Sequence, residues 1–184
     1  VDGIGDSNTK AGLIGEIGTS VDKFEPIEKK VFEAACLAVK KHPAVISTHT
    51  SLSTMALEQA DFFLEQNMDP TCIIIGHQDL KGDLDQINKL IDLGFYVGFD
   101  TIGKNNYFPD EKRAELLFEL QQSGRIDKVC ISLDITRKSN MKYKGGIGYT
   151  YLFTDFIPLL RSKGVTHESI EKMLITNAQN LFKE

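Results

Sequence analysis

Cys72-Ile73-Ile74-Ile75-Gly76-His77-Gln78-Asp79 is an apolar, β-branched run that ends abruptly in a glycine and a cluster of polar groups. Residues that are apolar at successive positions are buried on both faces, as in a strand inside a parallel sheet; a half-exposed hairpin strand would alternate. His77 then stands at the C-terminal end of that strand. In α/β folds this edge is where ligands bind and chemistry is placed.

Working outward, the same unit recurs on both sides. Residues 1–10 read as loop and Ala11 to Ile17 as a first buried strand whose last positions carry Glu16. Pro26 opens a helix to about Lys41, with Ile27, Val31, Ala34, Ala35 and Ala38 on one face, and Pro43 closes it. Ala44 to Thr48 is the second strand, ending in His49, and Ser51 to Asn67 the next helix. After the Cys72–Gly76 strand come a helix over Asp83–Leu93 and a strand over Phe95–Phe99 ending in Asp100. A helix from Pro109 to about Ser123 leads to Lys128–Leu133, a strand ending in Asp134. Helices at about Tyr149–Ser162 and Thr166–Phe182 finish the chain, with Thr166 as N-cap. The helix stripes holding Phe62, Phe63, Phe153 and Phe156 read as core.

Strands alternating with helices, without a hairpin signal, mean parallel βα units in a single domain over residues 1–184. An open doubly wound sheet lacks support, because no Gly-x-Gly-x-x-Gly turn follows the first strand and polar residues end nearly every strand. The expected fold is therefore α/β, a (β/α)8 TIM barrel. Such a barrel needs eight strands and typically ~250 residues. This sequence offers five strands, read as strands 4–8, so the chain is taken as the C-terminal part of the barrel; it also opens at Val1 without Met.

The bulk composition narrows the function classes. A net charge of −5 and a pI near 5.4, with no long basic cluster, argue against a nucleic-acid partner. No apolar run is long enough to span a bilayer, and no signal-peptide pattern opens the chain, so a cytoplasmic protein without a membrane partner is expected. The three cysteines, Cys36, Cys72 and Cys130, lie in apolar contexts and read as buried, reduced thiols.

Glu16, His49, His77, Asp100 and Asp134 each follow an apolar run and precede a loop. In a barrel they converge at one mouth. Two imidazoles with two or three carboxylates on rigid elements are a donor set for zinc or a similar divalent ion, which lowers the pKa of bound water to ~7. A lone histidine after a strand is more often a hydrogen-bonded structural residue; two in register beside carboxylates point to a metal. Asp79 and Asp100 fit equally as turn residues or as supports behind the ligands. His42 and His167 read as solvated.

The ordered segments Gly15-Glu16-Ile17-Gly18-Thr19, Ile46-Ser47-Thr48-His49-Thr50, Gly76-His77-Gln78-Asp79, Phe99-Asp100-Thr101-Ile102-Gly103-Lys104 and Ser132-Leu133-Asp134-Ile135-Thr136-Arg137 closely resemble the phosphotriesterase-like branch of the amidohydrolase superfamily, as does the closing Ile175-Thr176-Asn177-Ala178-Gln179-Asn180-Leu181-Phe182. The likeness is strongest to the phosphotriesterase homology subgroup, with Glu16 where phosphotriesterases proper carry a carbamylated lysine. The resemblance implies a metal-dependent hydrolase with two divalent ions, zinc in the first instance. Glu16 would bridge them, His49 and His77 would complete the exposed one, and Asp134 would bind the buried one and take the proton from the attacking hydroxide. Family members open ester, lactone or phosphotriester bonds.

Two departures qualify this. The family's His-x-His pair is absent from the sequence, and Thr101 replaces the histidine that relays protons in phosphotriesterases proper. The expected substrate is thus a small lactone or carboxyl ester, such as a phosphorylated sugar lactone; a phosphotriesterase proper is the alternative, and a metal-binding or structural fragment without catalysis is the reading of another class. Lys104, Arg137 and Lys138 could hold an anionic group from loops at the mouth, with Tyr107 and other loop aromatics as a wall. The sequence leaves the oligomeric state open, a homodimer included.

Overall fold

A computed structural model describes residues 3–183, so the first two positions of the expected opening loop lie outside the described residues. Five parallel strands form one sheet: β1 (Leu13–Thr19), β2 (Val45–Thr50), β3 (Ile73–Ile75), β4 (Tyr96–Phe99) and β5 (Val129–Ile131). Their order in the sheet is their order in the chain. That sequential winding is the barrel pattern; a doubly wound sheet reverses direction at a switch point. Helices α1 (Pro26–Lys41), α2 (Ala56–Glu65), α3 (Leu84–Asp92) and α4 (Asp110–Gln122) fill the crossovers, and α5 (Ile157–Ser162), α6 (His167–Glu171) and α7 (Asn177–Leu181) follow β5. Among the described residues no helix is long and apolar enough to cross a membrane.

Local chemistry sets these boundaries. Glu25 and Glu28 form a capping box at the start of α1, with Pro26 in the first turn, where its missing N–H costs nothing. The Asp83 carboxylate accepts from Gln86 N (3.0 Å) to begin α3, and Thr166 accepts from Ser169 N (3.2 Å) to begin α6. Between sheet and helices lies a core that includes Phe32, Phe63, Ile73, Ile75, Phe95, Phe99 and Leu117, all without solvent exposure. Each such side chain stabilises the fold by roughly 1.5–3 kcal/mol relative to an exposed one.

Several expectations need correction. β1 and β2 run two residues further than expected, which puts His49 inside β2, while Glu16 lies within β1 as expected. Helix α1 buries Phe32, Ala35 and Cys36, leaving Ile27, Val31, Ala34 and Ala38 exposed. Its rotation is set by an aromatic cluster in which the Phe32 ring lies 4.7 Å from Phe24 and 5.2 Å from Phe63. The helix expected from Ser51 begins only at Ala56, because Leu52, Ser53 and Met55 adopt left-handed backbone. Phe153 is exposed rather than core, in a wide π-type turn (Leu152–Phe156) before α5. The three cysteines are free, but only Cys36 is buried; Cys72, just before β3, and Cys130, in the middle of β5, are half-buried.

Candidate metal centre

Glu16, His49 and His77 meet at the C-terminal edge of the sheet. Ile14 pairs with Ile46 and Ile17 with Thr48, so β1 uses three residues where β2 uses two, and Glu16 lies in the resulting bulge. A bulge bends the strand and redirects its side chains, which brings the carboxylate toward the neighbouring strands. His49 is fixed from behind, because the buried Gln59 of α2 donates to its carbonyl at 2.9 Å. His77 follows β3 in a left-handed conformation (φ 59°, ψ 33°). That region costs a non-glycine residue on the order of 1 kcal/mol and persists only where surrounding groups impose it. Here Asp100 accepts the His77 backbone N–H at 3.0 Å, and Ser53 donates to the His77 carbonyl. Asp134 also has positive φ.

The ligating atoms of these three residues all lie within 4.8 Å of one another. His77 Nε2 faces His49 Nδ1 at 2.9 Å, and Glu16 Oε2 lies 3.9 Å from each nitrogen. A tetrahedral ion with ~2.0–2.1 Å bonds spaces its ligands at about 3.3 Å, a value these edges bracket. His77 presents its other nitrogen, Nδ1, to Asp100 at 2.7 Å. A carboxylate on the far nitrogen fixes the tautomer that turns a lone pair toward the metal. The donor set therefore fits one divalent ion.

The electrostatics agree. Burial pulls the His77 imidazole down, but the bond from Asp100, with Glu16 and Asp134 nearby, overrides it and pushes the group up to about 9. Burial, then His77, pull His49 down. Burial pushes the Glu16 carboxyl up; His77 opposes this, while Asp100 and Asp134 add to it. The raised His77 records an excess of negative charge, which a cation would neutralise.

The remaining expected residues separate into groups. Asp134 lines a cavity of about 170 Å³ together with Glu16, Asp100 and Cys130, and its carboxylate pairs with the ammonium of Lys104. Arg137 and Lys138 are exposed, and Tyr107 is 58% exposed without a described side-chain contact to the cluster. Asp100 touches His77 directly. Asp79 is one layer further out, where its Oδ2 accepts from Thr101 Oγ1 and Arg113 Nε, both at 2.7 Å. Expected as solvated, His42 and His167 are exposed.

Sequence reasoning missed Arg113, Gln59, Ser53 and Gly98. A signal existed for Arg113, which shares the inward stripe of α4 with Leu117 and Leu120 at i, i+4 and i+7. Gly98 has a packing reason, since a Cβ there would lie 2.4 Å from Asp100 Oδ2.

Comparison with known proteins adds an independent line. Residues 1–182 match the model of the phosphotriesterase family. The phosphotriesterase homology protein of Escherichia coli is 50% identical over 181 residues, covering 98% of this chain and 62% of that protein. Its crystal structure, described as complexed with phosphate in the active site, superposes with a TM-score of 0.95. A phospho-furanose lactonase of Mycoplasmopsis synoviae is 32% identical, covering 96% of this chain and 52% of the relative. An aryldialkylphosphatase of Saccharolobus solfataricus is 31% identical, covering 98% and 60%. The chain thus spans between half and two thirds of the length of these relatives. By sequence across nearly its whole length, and by the matching backbone, it belongs to the phosphotriesterase family.

Proposed function

We propose that the protein is a metal-dependent hydrolase that opens a lactone or carboxyl ester bearing an anionic group. The observation that carries the reading is the convergence of His49 Nδ1, His77 Nε2 and Glu16 Oε2, with Asp100 behind His77. Bound divalent ions, zinc in the first instance, would supply Lewis-acid polarisation and a water of lowered pKa. His49, His77 and Glu16 would hold one ion. Glu16 and Asp134 would contribute to a second, whose further donors this sequence does not supply.

Asp134 is the proposed base. As a water oxygen adds to the acyl carbon, the carboxylate takes the water's proton; when the acyl–oxygen bond breaks, the same proton passes to the departing alkoxide. Lys104, paired with Asp134, would meet an anionic substituent near the reacting centre, and Arg137 and Lys138 stand exposed further along the same loop as Asp134. The phosphate in the E. coli relative and the phospho-furanose lactone of the Mycoplasmopsis relative favour a phosphorylated substrate. A phosphotriester is the second reading, favoured by the aryldialkylphosphatase relative. Against it, the residue after Asp100 is Thr101, whose hydroxyl is already engaged by Asp79 and Arg113 and cannot relay a proton as an imidazole does.

Metal analysis of the full-length protein combined with a panel of phosphorylated and neutral lactones, carboxyl esters and phosphotriesters tests the reading. The expected result is about two metals per chain and turnover fastest on a phosphorylated lactone, abolished by His77→Ala. Metal content near zero, or turnover of phosphotriesters alone, overturns it.

A further inference from the structure

A fully buried charge lies outside the proposed metal centre. Arg113 of α4 has no solvent exposure and distributes its guanidinium over four partners. Nε donates to Asp79 Oδ2 (2.7 Å), Nη2 to Thr101 Oγ1 (2.8 Å), and Nη1 to Asp110 Oδ1 (2.9 Å) and to the Phe108 carbonyl. Asp110 is likewise buried and divides its two oxygens. Oδ1 also accepts from Gly103 N (3.0 Å), and Oδ2 accepts from Tyr151 Oη (2.9 Å).

Asp79 follows β3 and Asp110 opens α4; the other partners come from two further loops. Thr101, Gly103 and Phe108 belong to the loop after β4, which carries Lys104; its turn is closed by Lys104 N donating to Thr101 O at 3.0 Å. Tyr151 ends the loop after β5, which carries Asp134, Arg137 and Lys138. The two loops also touch directly. Gly103 has φ +84°, and a Cβ there would lie 2.5 Å from Ile147 Cδ1 and 3.1 Å from the Tyr151 ring. Burying an arginine with two carboxylates carries a desolvation penalty that an apolar cluster of the same volume avoids, so stability alone gives little reason for this arrangement. What it does supply is direction, because a planar fork fixes three ends at once.

We infer that Arg113 and Asp110, with Tyr151, form a positioning unit that sets the loop bearing Lys104 against the loop bearing Asp134, and so holds the Lys104 ammonium where an anionic substituent binds. The inference rests on the proposed anion-binding role of Lys104. None of the three touches the reacting atoms; they act through Lys104.

The test uses the full-length protein and two readouts, the affinity for inorganic phosphate and the kcat and KM for a phosphorylated and a neutral lactone. Lys104→Met is expected to weaken phosphate binding on the order of tenfold or more, the lower end for a lost hydrogen bond to a charged group. Arg113→Met should weaken it by a similar factor, and the Lys104→Met/Arg113→Met double variant no further than either single change, since both act on one contact. Arg113→Lys should not rescue the loss, because a point charge cannot span the three ends. KM for the phosphorylated substrate should rise while that for the neutral one stays within about twofold, a split that a general loosening of the fold would not produce. Should the Arg113 variants fail to fold, Tyr151→Phe deletes only the bond between the loops and is expected to weaken phosphate several-fold.

The failures separate. If Lys104→Met leaves phosphate affinity unchanged, the anion-binding reading falls and this inference falls with it. If Lys104→Met weakens phosphate but the folded Arg113 and Tyr151 variants do not, or if the effects multiply in the double variant, the positioning unit alone is refuted.

Discussion

His77 Nε2, just after β3, and His49 Nδ1, in the adjacent parallel strand β2, point at each other across 2.9 Å. Two neutral imidazoles can share one proton at this distance, or both can turn lone pairs toward one cation. What selects between these is the group on the far side of His77, the Asp100 carboxylate on Nδ1 at 2.7 Å. A proton held there leaves Nε2 free to ligate.

Asp100→Asn follows directly from that relationship. The amide occupies nearly the same volume but loses the charge that favours the Nδ1–H tautomer. Metal affinity in the full-length protein is expected to fall by ~10–100-fold, the usual range for losing such an outer carboxylate. Competition against a chromogenic chelator measures it. Unchanged affinity would show that the His77 tautomer is set some other way.

Gly98→Ala should reach the same endpoint by packing. The added methyl would lie 2.4 Å from Asp100 Oδ2 and 3.2 Å from Gly76 Cα, so the carboxylate must move off its place on His77. Inserting a methyl into such a contact costs roughly 1–3 kcal/mol. The expected outcome is a protein that still folds, with a lower Tm and with metal affinity reduced in the same direction as Asp100→Asn. A variant that binds metal as tightly as wild type would mean that the backbone absorbs the methyl.

Phe63→Ala provides the contrast. Its ring is fully buried, 5.2 Å from Phe32 and 6.4 Å from Phe95, and far in role from the ligands. Truncation is expected to cost ~3–5 kcal/mol by transfer and cavity terms. Urea denaturation should register that loss, while metal bound per folded chain stays unchanged. A large drop in metal content of the folded fraction would tie this cluster to the site more tightly than the packing implies.

How far the sequence could be read depended on the range over which each feature is determined. The run Ile73-Ile74-Ile75-Gly76-His77 is decided locally, because a short β-branched apolar run with a glycine and polar end favours a strand, and there Ile73 and Ile75 are buried and Ile74 half-buried. The order of such units then gave the parallel sheet and brought Glu16, His49 and His77 to one edge. Features fixed by neighbours distant in sequence were not legible. The inward face of α1 depends on Phe24 and Phe63 meeting Phe32, and its sequence alone favoured Ile27 and Val31. The left-handed backbone of His77 is imposed by Asp100 and Ser53 from other loops. The burial of Arg113 depends on Asp79 and Thr101 from loops after two other strands, together with Asp110.

Cys130 gives a prediction in pH. Burial, with the Asp100 carboxylate adding to it, pushes this thiol from 9.0 up to about 12. The raised value means that the folded state holds the proton more tightly than the unfolded chain. Below pH 9 both states are protonated and the associated stability is fully present; between about 9 and 12 the unfolded chain ionises first, so stability falls as pH rises. At pH 8 the same difference makes the native thiolate roughly a thousandfold scarcer than in the unfolded chain, and the thiolate is the reacting species. Alkylation of Cys130 by iodoacetamide, followed by peptide mass mapping, is therefore expected to be slower in the native full-length protein than in urea by at least two orders of magnitude. Native labelling within tenfold of the denatured rate would show that the thiol is open to water, and that the cavity it shares with Glu16 and Asp134 is wetter than its lining suggests.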